Sequence, residues 1–516
     1  MTRWTFSLTT DSARDVLGAA LPGGLRLGEI AEERLRRTWV DTFDWELHSA
    51  GLCAYFVKTG GRRWELTLRD RDGTESAALL DAAPGLARDL PPGPVRDRVA
   101  PAIGIRRLLP QVTVSTRRTV APLLDDLDKT LGRVLVEKRT AFAPSSRRPL
   151  AMDDRVVLTA LRGFDREVRT AAQALVAAGA LTKDGRSERD AALTAIGRAA
   201  GDYTSKLRFD LTAKMPATQA VADIFEHLLD AMRVNEPGLV ARLDEEFLHD
   251  YRVAVRRTRS ALSHFGGVLT PRALTWGTRF FADLGRRTGA ARDLDVLLIE
   301  LPGYAERLPV ERAAGLEAMR ARLAADRTTE YADYARWLAT KTYARGVERW
   351  RREIEGLRAA QDGPTIGALA AGAIQATAAK VFKQAKKIRR TDDDEPVHRL
   401  RIRCKKLRYV LEFSRTLTPG GEVAELIAAL KRLQDVLGTF NDVVVHAPRL
   451  IATASREPSD PELGLTAGWL LAELERRHRE VRSQVDSTVQ RFRRKAPRKL
   501  EALLAHLPDP SERSKQ

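Results

Sequence analysis

"FLHDYRVAVRRTRSALSHF" (247–265) and "PVHRLRIRCKKLRYVLEFS" (396–414) are two writings of one helix. A shift of 149 residues carries His249 onto His398, Arg252 onto Arg401, Arg256 onto Lys405, Arg257 onto Lys406 and Arg259 onto Arg408, without a gap. The same shift carries Tyr251, Val255, Thr258 and Leu262 onto Leu400, Cys404, Leu407 and Leu411. Steps of 4, 3 and 4 residues return to nearly one angle on a helix, so these positions form a core stripe. Beside it, roughly a quarter turn away, His249, Arg252, Arg256 and Arg259 share a flank, as do His398, Arg401, Lys405 and Arg408. Like charges one turn apart repel by ~0.2–0.5 kcal/mol per pair, so the arrangement points to an anionic partner. Singly, a basic stripe reads as a solvated helix face and a histidine as a surface residue; the register-true duplication is what argues otherwise.

The register continues downstream, taking Gly289, Arg292 and Asp293 onto Gly438, Asn441 and Asp442. Asp293 and Asp442 read first as helix caps or arginine partners. A duplicated helical unit implies pseudo-twofold symmetry, in which the two basic stripes could line one channel. A further basic segment, "KVFKQAKKIRR" (380–390), sets Lys380, Lys383, Lys387 and Arg390 at helical spacing, and its first-copy counterparts are not basic. The symmetry is therefore partial.

At 516 residues the chain has room for two to four domains, and its 43% apolar, 30% charged composition with 6% aromatics favours helix. Lys and Arg number 87 against 69 Asp and Glu, a net charge of +18, which attracts polyanions such as nucleic acid, acidic lipid or polyphosphate. Cys53 and Cys404 lack ligand or disulfide spacing, so no metal site and no cofactor is expected, and a reducing cytoplasm fits. Neither a signal peptide nor a run of ~20 apolar residues is read, so no membrane partner is expected.

Residues 1–203 read as an α+β domain, 204–216 as a linker, 217–505 as an all-α domain with repeat halves at about 217–355 and 365–505, and 506–516 as a disordered tail. Strand texture appears at 3–10, 111–120 and 133–142, and as a hairpin at 53–70 turning at Gly60-Gly61. "LPPGPVRD" (90–97) reads as loop, and helices are expected at 165–178 and 188–200. From 217 onward amphipathic helices are expected to break at "NEPG" (235–238), "TPRA" (270–273), "DGPT" (362–365), "TPGG" (418–421) and "EPSDPE" (457–462).

The paired motifs, "LHDYRVAVRRTRSAL" with "ARDLDVLL" and "VHRLRIRCKKLRYVLEF" with "LKRLQDVLGTFND", resemble the CHAD family of histidine-containing α-helical domains, over about 217–505. The resemblance implies two related helical bundles that bind inorganic polyphosphate in a basic groove or pore, and association with polyphosphate granules. It implies that the histidines and basic residues of both repeat helices are the contacts, and it suggests polyphosphate-metabolising enzymes as further partners. Such a ligand has no bases to read and needs many charge-assisted donors along a line. Arginine forks and flexible lysines both suit it.

The stretch "TWVDTFDWELHSAGLCAYFVKTGGRRWELTLRD" (38–70) resembles, more weakly, the CYTH family of triphosphate-tunnel enzymes, which implies an antiparallel barrel or half-barrel. Those enzymes hold divalent metal on a Glu-x-Glu-x-Lys first strand, whereas "RWTFSLTT" offers Thr5, Ser7 and Thr9 there. Neutral hydroxyls do not supply the charge of a Mg²⁺ site, so no enzymatic activity is expected. Arg69, Arg117 and Arg118 would remain to hold phosphate. The competing readings are a metal-dependent triphosphatase or polyphosphatase in this domain, and a nucleic-acid binder; few aromatics flank the stripes to stack bases.

Overall fold

The structure is a computed structural model that describes residues 3–8, 21–179, 181–183, 185–207, 209–360, 363–388, 394–418 and 421–508, with backbone alone at 183 and 441–443. The chain divides into two compact units, Met1–Ser205 and Lys206–Gln516.

The first unit is built on an antiparallel sheet of eleven strands: β1 (Arg3–Leu8), β2 (Arg26–Leu27), β3 (Ala31–Asp41), β4 (Cys53–Gly60), β5 (Arg63–Arg69), β6 (Glu75–Leu80), β7 (Leu109–Leu124), β8 (Thr130–Phe142), β9 (Leu150–Ala151), β10 (Arg155–Ala160) and β11 (Leu181–Lys183). The order β11-β1-β10-β8-β7-β3-β4-β5-β6 is an open path, with β2 added to β7 and β9 to β8. The expected hairpin is β4–β5, pairing Ala54 with Leu68 and Phe56 with Leu66, and Gly60 and Gly61 both take positive φ at its turn. Among the described residues four helices accompany the sheet: α1 (Glu46–Ser49), α2 (Pro94–Ile103), α3 (Asp165–Ala177) and α4 (Glu188–Ala195). "LPPGPVRD" is therefore only partly loop, because Pro94 opens α2, where its fixed φ suits the first turn and its missing N–H costs nothing. Among the described residues three apolar clusters hold the unit together: β1, β8 and β10 pack on α3 through Phe6, Val134, Val156, Leu158, Val168 and Leu175, β4–β6 pack on α2 through Phe56, Leu66, Val95 and Val99, and β3, β7 and β8 pack on α4 through Trp39, Val112, Val114, Ala141, Ala192 and Leu193.

The second unit is helical: α5 (Ala217–Ala241), α6 (Glu245–Phe265), α7 (Pro271–Arg287), α8 (Gly289–Ala305), α9 (Ala313–Leu338), α10 (Lys341–Ala359), α11 (Ile366–Ala385), α12 (Glu395–Phe413), α13 (Glu422–Ser455) and α14 (Pro461–Leu504). The 149-residue period spans it. Adding 149 takes α5 onto α11, α6 onto α12, α7 with α8 onto the unbroken α13, and α9 with α10 onto the unbroken α14. The two-fold relation is visible in the backbone: Ala217 N donates to Pro364 O and Ile366 N to Met215 O, both at 2.9 Å. Each bond becomes the other under the shift, as an isologous contact requires. Side-chain caps set the starts, with Asp244 accepting from Glu246 N, Thr270 from Ala273 N, Thr340 from Tyr343 N and Asp460 from Leu463 N. At the far end the copies share one core, where Leu297 and Leu301 of α8 and Met319 and Leu323 of α9 meet Leu450 of α13 and Leu470 of α14.

One expected break is absent. α5 runs through "NEPG" to Ala241 and stops only at Arg242, whose φ of 52° is left-handed. Pro237 removes one backbone donor, but Asn235 Nδ2 donates to Ala231 O at 2.7 Å nearby, and Leu239 buries its side chain one turn on. Packing outweighs the proline here. No helix among the described residues is long and apolar enough to cross a membrane.

Candidate functional site

The core stripes are buried as the spacing requires: Tyr251, Val255, Thr258 and Leu262 of α6, and Leu400, Cys404, Leu407 and Leu411 of α12, are all shielded from solvent. Burial pushes the Cys404 thiol up to about 12, so it is an inert core atom.

Along the flank of α6 the cations differ in their surroundings. Arg252 turns into the junction of α7 and α8, where Nη1 donates to Gly285 O at 3.0 Å and Thr288 Oγ1 at 2.7 Å. Burial, then the neighbouring Arg256, lower its pKa to about 10, against the pull of Asp293. Arg256 is half-buried with its Nε unbonded, and among the described residues no acid pairs with it. Arg259 is exposed beside Gly285 and likewise has no acid. His249 sits with Glu246 and Asp250, whose ligand atoms and its own lie within 4.8 Å of one another. Arg292, 4.0 Å from Glu246, adds positive charge to that group. Under the shift Glu246 becomes Glu395 but Asp250 becomes Arg399, so the two histidines differ in one acidic neighbour.

On α12, His398 is exposed and Arg401 and Lys405 are half-buried. Two expected contacts are already neutralised. Arg257 of α6 donates to Glu412 Oε2 at 3.0 Å, and Arg408 lies 3.2 Å from Glu412 Oε1, so one carboxylate ties α6 to α12. With Phe265 against Phe413 at 5.9 Å between centroids, this is a packing junction.

Lys380 and Lys406 belong to another face. They line a cavity of about 730 Å³ with Arg403 and His264. On α12, Arg403 and Lys406 lie across the core stripe from Arg401 and Lys405, given 100° per residue. Arg403 Nη1 also donates to Lys380 O at 2.9 Å, joining α12 to α11. The sequence reading passed over Arg403 and His264; the spacing of Arg399, Arg403 and Lys406 was the available sign of a second flank. The helix expected over 380–390 ends at Ala385, so Lys383 lies on it, Lys387 follows in a turn, and Arg390 lies outside the described residues. The side chains of Asn441 and Asp442 do too.

In the first unit, one row of side chains crosses five strands on the face opposite Phe6. The pairings run Ser7 to Arg155, Arg155 to Glu137, Glu137 to Arg118 and Arg118 to Glu33. Arg118 and Arg155 each reach Glu137 at 2.7 Å, and Arg118 lies 3.7 Å from Glu33. Glu188, from α4, adds contacts to Arg37 at 3.2 Å and Arg155 at 3.9 Å. Burial raises the Glu137 pKa, but Arg155 and Arg118 outweigh it and hold the carboxyl below its ordinary value. Thr5 and Ser7 share this face and bring no acid to it, and Thr9 lies outside the described residues. Of the arginines read as phosphate holders, Arg118 is engaged in this ladder, Arg69 pairs with Glu75, and Arg117 is exposed.

Residues 223–451 match the CHAD domain. Among solved structures, the CHAD domain from the plant Ricinus communis is similar at 28% identity, covering 55% of this chain and 96% of its own, with a TM-score of 0.48. PptA from Streptomyces chartreusis is similar at 14% identity, covering 53% of this chain and 99% of its own, with a TM-score of 0.43. No curated protein matches the chain. The first unit, with its antiparallel sheet, is consistent with a CYTH-like domain. Residues 223–451, which carry both α6 and α12, form a CHAD domain.

Proposed function

We propose that the helical unit binds inorganic polyphosphate without transforming it, through the flanks of α6 and α12. The observation that carries this reading is the duplicated stripe, with Arg256 and Arg259 bearing charge that no described acid neutralises. Arg252, Arg256 and Arg259 on α6, and His398, Arg401 and Lys405 on α12, are the residues that would meet the chain. The lowered pKa of Arg252 supports it, because a bound anion would relieve the adverse field from Arg256. A protein that binds polyphosphate in this way would collect where that polymer accumulates, at granules, and could hold enzymes of its metabolism nearby.

The absence of turnover is part of the proposal. In the first unit, the row that starts at Ser7 alternates arginine with glutamate, and the two signs pair with each other, which leaves few carboxylates there for a divalent ion. Incubating the whole chain with tripolyphosphate and Mg²⁺ or Mn²⁺ should release no phosphate above background. Clear metal-dependent release would overturn this half of the reading.

Binding is tested by titrating long-chain polyphosphate into the wild-type chain and into Arg256→Ala and Lys405→Ala. Each loses a charge-assisted contact of about 1.5–3 kcal/mol, so affinity should fall by roughly ten-fold or more. Unchanged affinity in both variants would place the site elsewhere.

A further inference from the structure

The cavity between α6, α11 and α12 is not a necessary product of the fold, because its pseudo-symmetric twin is built differently. Subtracting 149 takes Gly372 onto Asp223, Ala376 onto His227, Lys380 onto Ala231 and Lys406 onto Arg257. Adding 149 takes Ser263 onto Glu412. In the twin, Arg257 is held by Glu412, Arg358 pairs with Asp223, and Phe209 packs on His227 at 5.0 Å between ring centroids. What remains there is a cavity of about 370 Å³ lined by Asp210, Asp223, Glu226 and Asp230. The second copy has twice the volume, about 730 Å³, and the opposite charge. Its Lys380, Arg403 and Lys406 have no acid partner among the described residues.

The lining has two halves. One is polar, Lys380, Arg403, Lys406 and His264, and the other is a run of small side chains on α11, including Gly372, Ala373 and Ala376, that leads along that helix to Lys380. Charge-assisted donors suit phosphate oxygens, and a smooth apolar wall suits a flat body. The volume falls within the ~300–1,000 Å³ of small-molecule sites and exceeds what a lone phosphate fills. An inorganic chain would leave the small-residue wall uncovered. His264 adds a third requirement: its Nδ1 donates to Ser260 O at 2.7 Å, so the neutral ring keeps Nε2 as an acceptor. Burial, then Lys406 and Lys380, lower its pKa against the pull of the Ser260 carbonyl. A neutral acceptor favours a ligand with an N–H or O–H, which fully ionised phosphate lacks.

We infer that this cavity binds an organic phosphate of nucleoside di- or triphosphate size, with phosphates on Lys380, Arg403 and Lys406 and its flat body on the Gly372–Ala376 wall. This goes beyond the polyphosphate reading and stands without it, because the cavity and the α6 stripe use different residues.

The test is a titration of the whole chain with a fluorescent ATP analogue, displaced by ATP and separately by tripolyphosphate. Saturable binding is expected, with ATP displacing at least ten-fold better than tripolyphosphate. Lys406→Ala should weaken binding ten-fold or more, and Ala376→Phe, which fills the cavity from an exposed position, should abolish it. Arg256→Ala should leave ATP binding unchanged even where it weakens long-chain polyphosphate. No saturable binding, equal displacement by tripolyphosphate, or unchanged affinity in Ala376→Phe would overturn the inference.

Discussion

Two buried carboxylates answer pH in opposite senses. Asp295, on α8, has no exposed surface; burial raises its pKa to about 7, against the hydrogen bond from Tyr331 at 2.7 Å and the charges of Arg292 and Arg327. Its folded value lies above the unfolded 3.8, so the folded state binds the proton more tightly. Stability from this group is gained as pH falls from about 7 towards 4, and lost as pH rises through 7. Asp295→Asn keeps an acceptor for Tyr331 and removes the charge. Chemical denaturation at pH 8 should show it more stable than wild type, on the order of 2–4 kcal/mol, with the gap closing by about pH 4. A pH-independent difference would contradict the assignment. Glu137 behaves the other way, its folded value lying below the unfolded 4.5. Its contribution is present above that value and lost as pH falls through the folded one. Glu137→Gln leaves Arg118 and Arg155 without their common anion and should cost about 3–5 kcal/mol at neutral pH. The loss should shrink below about pH 4.

At the scale of elements, close helix approach decides what substitutions do. A Cβ on Gly315 of α9 would stand 2.8 Å from the Glu462 carbonyl oxygen at the start of α14. Alanine favours helix over glycine by about 0.8–1 kcal/mol, yet the clash is with backbone and cannot be relieved by a rotamer. Gly315→Ala should therefore destabilise, by about 1–3 kcal/mol in urea titrations; a stabilised variant would show that α14 yields easily. The elements themselves were unevenly legible. The hairpin β4–β5 announced itself through alternation and Gly60-Gly61, and α6 and α12 through their 149-residue register. β3 was missed because Glu32, Glu33, Arg34, Arg36 and Arg37 hide its alternation, and only pairing with β7 shows where Glu33 meets Arg118. NEPG reads as a break because Asn235, Pro237 and Gly238 are turn residues, and tertiary burial of Leu239 is invisible in that window. The pairing of Arg408 with Glu412 is an i,i+4 spacing that the sequence displays, whereas nothing local reveals that Glu412 also receives Arg257 from 155 residues away. His249 and His398 occupy one register, with Glu246 and Glu395 three residues before them, yet Asp250 beside the first becomes Arg399 beside the second.

For the whole molecule, a net charge of +18 guarantees attraction to polyanions and so cannot identify one. Location of the binding residues is what separates a specific site from diffuse attraction. If the α6 and α12 flanks bind polyphosphate, the logarithm of affinity should fall linearly with the logarithm of salt, and each lost contact should flatten that slope by roughly 0.7–0.9. Diffuse attraction predicts no such dependence on a single arginine. The deciding measurement is a titration of long-chain polyphosphate across salt concentrations, with single-stranded DNA as competitor, for wild type and for the combined Arg252→Ala, Arg256→Ala, Arg401→Ala and Lys405→Ala variant. The prediction is saturable polyphosphate binding that DNA does not displace at moderate salt, and its loss in the variant with helicity retained. Equal binding by the folded variant, or ready displacement by DNA, would contradict the account.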